Sequence, residues 1–269
     1  MMKRVFLICV ALFWASAVSA TDTVRMAVTT SFHNSGLADV LLPEIRADLD
    51  LDVQLLVVGT GHALRLGRSG DVDAILVHSR TAEEKFVADG YGTHRREIMY
   101  NDFVLVGPDH DPAGLRDAVS AANSLARIAI ARAPFVSRGD DSGTHITELS
   151  LWASAELDPT EFGDWYTAVG AGMGAALNTA SGLNSYILSD RASWLNFQNK
   201  GDLRLLFGGD PVLFNQYAFL PVNPERHTHV KSTLVSKLEA WLTSGRAKAL
   251  IDSYQIDGMP VFIFNATAQ

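Results

Sequence analysis

Runs that suit β-strands alternate with runs that suit helices, and the strand ends are marked by glycine and small hydroxyl residues. This rhythm is the strongest constraint on the fold, because a sheet whose strands are separated by helices carries helices on both faces. Residues 24–28 read as a first strand. A helix follows over residues 35–49, with Leu37, Val40, Leu41 and Ile45 on one face and Pro43 expected to kink or re-register it. Residues 51–58 read as a buried strand, then come Gly59-Thr60-Gly61 and a short helix. Residues 72–78 predict a strand, 81–89 a helix, and 96–108 either two short strands or one long bent one. Further on, a helix is expected over 114–123, a strand ends at Phe135-Val136, and an amphipathic helix with Ile146, Leu149, Ser150 and Trp152 opens after residues 137–144. A glycine-rich helix start at 170–174 and the run 184–190 come next, then strands at 203–211 and 215–224. Helices over 228–243 and 245–254 close the chain. No internal repeat and no Pro/Gly/Ser linker is visible, so if there are two lobes the chain crosses between them inside ordered strands.

Residues 1–20 read as a secretory signal: Lys3 and Arg4, an uncharged apolar stretch over 5–15, and the small residues Val18-Ser19-Ala20 before a cleavage site. The apolar run is too short to favour a permanent membrane span. The chain's single cysteine, Cys9, falls within it, so disulfides cannot hold the mature protein together and a packed core must. The formal net charge is −8; losing Lys3 and Arg4 takes it to about −10. That balance excludes a basic nucleic-acid-binding face. An acidic protein can still bind an anion, provided the site is local and built from backbone dipoles and a single cation.

The turns supply such parts. Thr29-Thr30-Ser31 and Ser35-Gly36 follow the first strand, Gly59-Thr60-Gly61 the second, and Ser137 to Thr144 the strand at Phe135-Val136. In an open α/β sheet, ligands settle outside the carboxyl ends of the strands. Helix N-termini there offer unpaired N–H groups and partial positive charge. Hydroxyls add donors, and glycine lets backbone come close. Arg138 adds a guanidinium suited to two parallel bonds with a tetrahedral oxyanion. Asp140 and Asp141 have three readings: favourable charge in a helix's first turn, a carboxylate that pairs with Arg138 and fixes its fork, or an acceptor for a protonated anion.

The motifs SRGDDSGTHITELSLW, TTSFHNSGLADVLLP, VGTGHAL, GDVDAILVHSRTAEEKFVADGYG, MYNDFVLVGP, GAGMGAAL and GDPVLFNQY occur in the order and spacing of the tungstate-binding TupA proteins. The chain resembles this family over nearly all of its mature length. The resemblance implies an α/β, type II periplasmic-binding-protein fold, two α/β lobes joined by a two-strand hinge, with an oxyanion in the cleft. Implied boundaries are the signal at 1–20, lobe 1 at 21–106, lobe 2 at 107–213, and a return to lobe 1 at 214–269. It also implies a periplasmic location, a membrane permease with its ATPase as partners, and a monomer with no cofactor, metal or catalytic residue. Carried over position by position, Thr30, Ser31 and Thr60 are first-lobe contacts to the anion. Ser137, Arg138, Ser142, Gly143 and Thr144 form a second-lobe clamp, and Gly172, Met173 and Gly174 present backbone N–H groups. Three positions depart from the family pattern. Phe32 and Ala176 stand where hydroxyl residues are common, and His62 where a polar amide is expected. Each changes a donor near the cleft, and Phe32 adds bulk.

Plainer readings compete at each position. Thr30 and Ser31 can be helix caps, Gly59-Thr60-Gly61 an ordinary tight turn, Gly172 to Gly174 a helix-packing surface, and His62 a surface side chain at a helix start. His227 and His229 lack the further ligands of a metal site. Ser142 lacks the G-x-S-x-G setting of a hydrolase nucleophile. Four functions are therefore distinguished: a tungstate receptor (with molybdate of the same shape and charge), a phosphate receptor using a similar Arg-x-Asp-x-Ser-Gly-Thr clamp, a secreted hydrolase of an anionic substrate, and a periplasmic sensor.

Overall fold

The computed structural model describes residues 22–267, so the expected signal lies outside the described residues. β1 (Asp22–Thr29) leads into the single turn α1 (Thr30–Asn34) and then α2 (Leu37–Leu49). β2 (Leu51–Val58), α3 (Thr60–Ser69), β3 (Ala74–Val77) and α4 (Arg80–Ala88) complete the first set. β4 (Arg96–Pro108) is followed by α5 (Ala121–Ala131), β5 (Phe135–Ser137), α6 (Gly143–Ser154), β6 (Tyr166–Ala168), α7 (Met173–Leu183), β7 (Tyr186–Asp190) and α8 (Arg191–Asn196). β8 (Leu203–Phe207), β9 (Phe214–Pro221), α9 (Ser232–Leu242) and α10 (Gly245–Ser253) finish the chain apart from short terminal strands.

One ten-stranded sheet has the order β2-β1-β3-β9-β4-β7-β5-β6, with β8 and the short strand Ile263–Phe264 also on β4, while Gln255–Ile256 and Met259–Pro260 pair separately. β1, β2 and β3 are parallel to one another, as are β5, β6 and β7. β4 is the single long strand of the two alternatives. Residues 96–102 pair with β9, and residues 103–108 pair with β7 and β8. The polypeptide thus passes from one half of the sheet to the other within β4 and returns between β8 and β9.

Side chains alternate across a strand, and this splits the core by face. Val24, Met26 and Val28 of β1 join a large cluster with α2, α7 and α9, whereas Ala27 packs with Ala63, Leu64, Ile75 and Phe86 on the opposite face. A third cluster fills the other half around Phe103, Leu125, Phe135, Trp152 and Tyr186. Among the described residues no helix is long and apolar enough to cross a membrane.

Two local expectations are corrected. The helix expected over 35–49 is two helices, because Gly36 at φ 79° breaks the run, and α2 then carries Pro43 on an exposed position without ending there. The helix expected over 114–123 is displaced to Ala121–Ala131. Gly114 adopts φ 69°, and the Asp111 carboxylate accepts from the backbone N–H groups of Leu115 and Arg116 at 2.9 Å each, which allows only a 3-10 turn. Ser120 then caps the real helix by accepting from the Asn123 N–H.

Candidate functional site

Four helix starts meet where the two halves of the sheet face each other, those of α1, α3, α6 and α7. Each follows a strand end, so the chain direction of the sheet sets their convergence. Arg138, just beyond β5, sits among them with only 2 % of its surface exposed. Its Nη2 donates to Asp140 Oδ2 at 2.6 Å and to Thr30 Oγ1 at 3.3 Å, its Nη1 to Thr144 Oγ1 at 3.4 Å, and its Nε to the Ala171 carbonyl at 3.4 Å. The Gly143 N–H donates to Thr60 Oγ1 at 3.3 Å. A methyl built on Gly172 would lie 3.1 Å from Thr30 Cγ2. Thr30, Thr60, Arg138, Gly143, Thr144 and Gly172 therefore occupy one place, drawn from both halves. Thr60 and Thr144 are buried with Arg138.

The loop that carries Arg138 is shaped by its glycine. Gly139 adopts φ 59°, and a Cβ there would stand 2.9 Å from Ala168 Cβ, so only glycine fits. Asp140 uses both oxygens, Oδ2 for the guanidinium and Oδ1 for the Ser142 N–H at 3.3 Å. Of the three readings of Asp140, the fork-fixing one matches this geometry.

The remaining expected residues are placed differently. Ser142 Oγ accepts from the His145 N–H and caps α6. Ser137 is buried on the opposite side of its strand from Arg138, against Glu148 and Tyr166. Ser31 is buried against Asp190. The Met173 side chain lies in the apolar core, so only its main chain is available. Gly174 lines a rim cavity of about 340 Å³ together with His33, Asn34 and Leu177. At the same rim the Asn196 side chain donates to the Asn34 carbonyl at 2.8 Å.

The three departures from the family pattern resolve physically. Phe32 is turned into the core, with its ring centroid 6.5 Å from that of Tyr217, so its bulk does not enter the site. Ala176 is likewise in the core, and His62 is exposed. His227 and His229 bond to the carbonyls of Arg68 and Gly70 and hold that turn in place.

Two residues not singled out from the sequence stand directly behind the site. His78, at the end of β3, is buried with its ring centroid 4.8 Å from that of Tyr217. A Cβ at Gly143 would come within 2.8 Å of both His78 Nδ1 and the His78 carbonyl oxygen. Burial, and next the Arg138 charge, lower the His78 pKa to about 3, so the ring is neutral at physiological pH. Asp190, at the end of β7, is wholly buried, and burial pushes its carboxyl up. The available signal was position: both close strands whose carboxyl ends point at the converging helix starts. Among the described residues no cluster of three or more His, Cys, Asp or Glu side chains is arranged to hold a metal ion.

Known proteins resemble the chain in sequence and fold. Residues 15–246 match the family model described as a PBP superfamily domain. The tungstate-binding protein TupA of Peptoclostridium acidaminophilum is 40% identical over 251 residues, covering 92% of this chain and 87% of that protein. The crystal structure of the tungstate ABC transporter from Geobacter sulfurreducens aligns with a TM-score of 0.81 at 46% identity, over 88% of this chain and 100% of that one. The tungstate-binding protein TupA from Desulfovibrio alaskensis G20 aligns with a TM-score of 0.78 at 40% identity, over 91% of this chain and 100% of that one. The periplasmic-binding-protein fold implied by the motifs is thus the fold of the chain. With this coverage and identity, the chain belongs to the PBP superfamily and, within it, to the family of tungstate-binding TupA proteins.

Proposed function

We propose that the chain is a periplasmic receptor that encloses tungstate between two lobes and delivers it to an ABC permease driven by its ATPase. The observation that carries this reading is the buried Arg138 guanidinium, which links Thr30 of one half to Thr144 and Ala171 of the other at a point where helix starts converge. Tungstate is a fully deprotonated dianion at neutral pH and accepts from every donor presented to it. The main-chain N–H groups at the starts of α3, α6 and α7, the hydroxyls of Thr30, Thr60 and Thr144, and Arg138 are such donors. Hydrogen phosphate would need an acceptor as well. Asp140 is occupied by Arg138 and the Ser142 N–H, which favours the dianion. Ser142 Oγ is engaged in capping α6, which supports binding without catalysis.

In this reading residues 1–20 direct export and are removed, residues 21–106 and 214–269 form one lobe, and residues 107–213 form the other. The protein works as a monomer without a cofactor. Closure about β4 and its return crossing is a population shift, driven by contacts to the anion that only the closed form makes. The test is a thermal-shift screen against tungstate, molybdate, sulfate and phosphate. Ligand binding to the native state raises the melting temperature by mass action, and tungstate should give the largest shift. A larger shift with phosphate, or none with any of the four, removes this reading.

Closure also predicts an effect at Gly143. In Gly143→Ala the added methyl would meet the His78 ring and the His78 carbonyl at 2.8 Å, and the carbonyl belongs to the backbone. Overpacking of this kind costs about 1–3 kcal/mol, charged to the closed form alone. Tungstate affinity should fall roughly 5- to 150-fold by calorimetry, with the melting temperature of the anion-free protein little changed.

A further inference from the structure

Behind the converging helix starts lies a buried carboxyl that the anion site as described does not use. Asp190 ends β7 opposite Phe103 of β4 and has no exposed surface. Its Oδ1 accepts the Ser193 N–H at 2.9 Å and caps α8, while Oδ2 is buried without a hydrogen-bond partner. Ser31 Oγ, also buried, faces it from α1. The groups around Asp190 come from each element packed on it: Ser31 from α1, Ser193 from α8, Tyr217 from β9, and Arg138 from the loop after β5. On β4 the neighbouring charge, Asp102, is already neutralised by Arg191 at 2.6 Å. His78 lies beyond Tyr217 and is uncharged.

The cation facing Asp190 is therefore Arg138, and Arg138 is shared with Asp140. With both carboxylates ionised, the pocket carries one positive and two negative charges before a dianion enters. Enclosing two further negative charges in a water-poor space then favours neutralising the one carboxylate that has an unused, solvent-shielded oxygen. Protonation also frees a donor. An ionised Asp190 attracts the Ser31 hydroxyl hydrogen, whereas a neutral one donates to Ser31 Oγ and leaves that hydrogen for the anion.

We propose that Asp190 takes up a proton from solvent as the anion is enclosed, so that this protein binds tungstate and a proton together. The inference rests on the tungstate-receptor reading. Burial, opposed by Ser193, Ser31 and Arg138, already holds the carboxyl above its ordinary range. The sign follows. A group whose pKa is higher in the bound state than in the free state makes the bound state the better proton binder. Affinity then falls as pH rises between the two pKa values, by up to tenfold per pH unit.

The test is calorimetric titration of the mature protein with sodium tungstate at pH 7, in buffers of differing ionisation enthalpy. The slope of observed heat against buffer enthalpy counts protons. Uptake approaching one proton per anion is expected for the wild type. Asp190→Asn keeps a capping side chain on α8, and its uptake should fall towards zero. Its affinity should no longer drop between pH 6 and pH 8. Tight wild-type binding with no proton exchange overturns the proposal while leaving the receptor intact, as does uptake that persists in Asp190→Asn. Absence of any tungstate binding by the wild type overturns the receptor reading and this one with it. If the variant fails to fold, absence of proton exchange in the wild-type buffer series still overturns the proposal.

Discussion

Replacing Arg138 by alanine should weaken tungstate binding by about 2–5 kcal/mol, the usual cost of truncating one partner of a buried hydrogen-bonded charge pair. In affinity this is roughly 30- to 5,000-fold. Three losses coincide at that residue. The anion loses a forked, charged donor. Thr30 and Thr144 lose the group that joins them across the two halves of the sheet. Asp140, relieved of its 2.6 Å partner, becomes an unneutralised carboxylate beside a dianion. Arg138→Lys should recover part of the affinity, because it restores the charge without the planar fork. Calorimetry on both variants measures the effect. Circular dichroism of the anion-free proteins should show the native spectrum, since the guanidinium's bonds go to the site and not to the three apolar clusters. Unchanged affinity in Arg138→Ala would remove this residue from the site.

The parts of the molecule governed by periodicity were readable from the chain. β1, β2 and β3 lie where short runs rich in Val, Leu, Ile and Met put them, and β3 is buried at every position. The turns after them were also readable, since Gly59, Gly139 and the Thr and Ser residues beside them are local signals. The meeting of those turns was not a local property. It depends on sheet order, in which β9, from late in the chain, lies between β3 and β4. Without that order, His78, just after β3, and Asp190, the last residue of β7, read only as strand-end residues, and their shared place behind Arg138 does not follow from their positions alone. Strand alternation similarly separates neighbours that read alike: Arg138 faces the helix starts, while Ser137 faces Glu148. Phe32 misled for the same reason. Its position in a binding motif suggested bulk in the cleft, but α1 is a single turn that aims Thr30 and Phe32 in different directions, one at Arg138 and one at the core. The displaced α5 had a local cause, the Asp111 carboxylate holding two N–H groups, which composition alone does not reveal.

The second large effect concerns the anchor of the helix that presents Gly143 and Thr144. Near its far end α6 carries Trp152, with no exposed surface, packed at ring-centroid distances of 5.3 Å from Phe135 and 4.9 Å from Phe162. Its indole N–H donates to Glu148 at 3.1 Å. Glu148 is a buried carboxyl whose pKa burial raises to about 7 against bonds from Tyr166, Ser137 and Trp152. Trp152→Ala should cost about 3–5 kcal/mol of stability, the range for deleting a large buried aromatic. That corresponds to a fall in melting temperature of roughly 6–20 °C for a chain of this size. The loss has two physical parts, a cavity between Phe135 and Phe162 and a buried carboxyl deprived of one donor. Trp152→Phe keeps most of the volume but not the N–H, so it should lose less, and the difference between the two variants separates the cavity from the lost bond to Glu148. Below the transition, the surviving folded protein should bind tungstate with near-native affinity, because Trp152 touches none of Thr30, Thr60, Arg138 or Thr144. A collapse of affinity at temperatures where the fold is intact would mean instead that the aromatic cluster sets the position of the α6 N-terminus itself. The anion would then be held by a helix start whose placement is determined at the other end of the same helix.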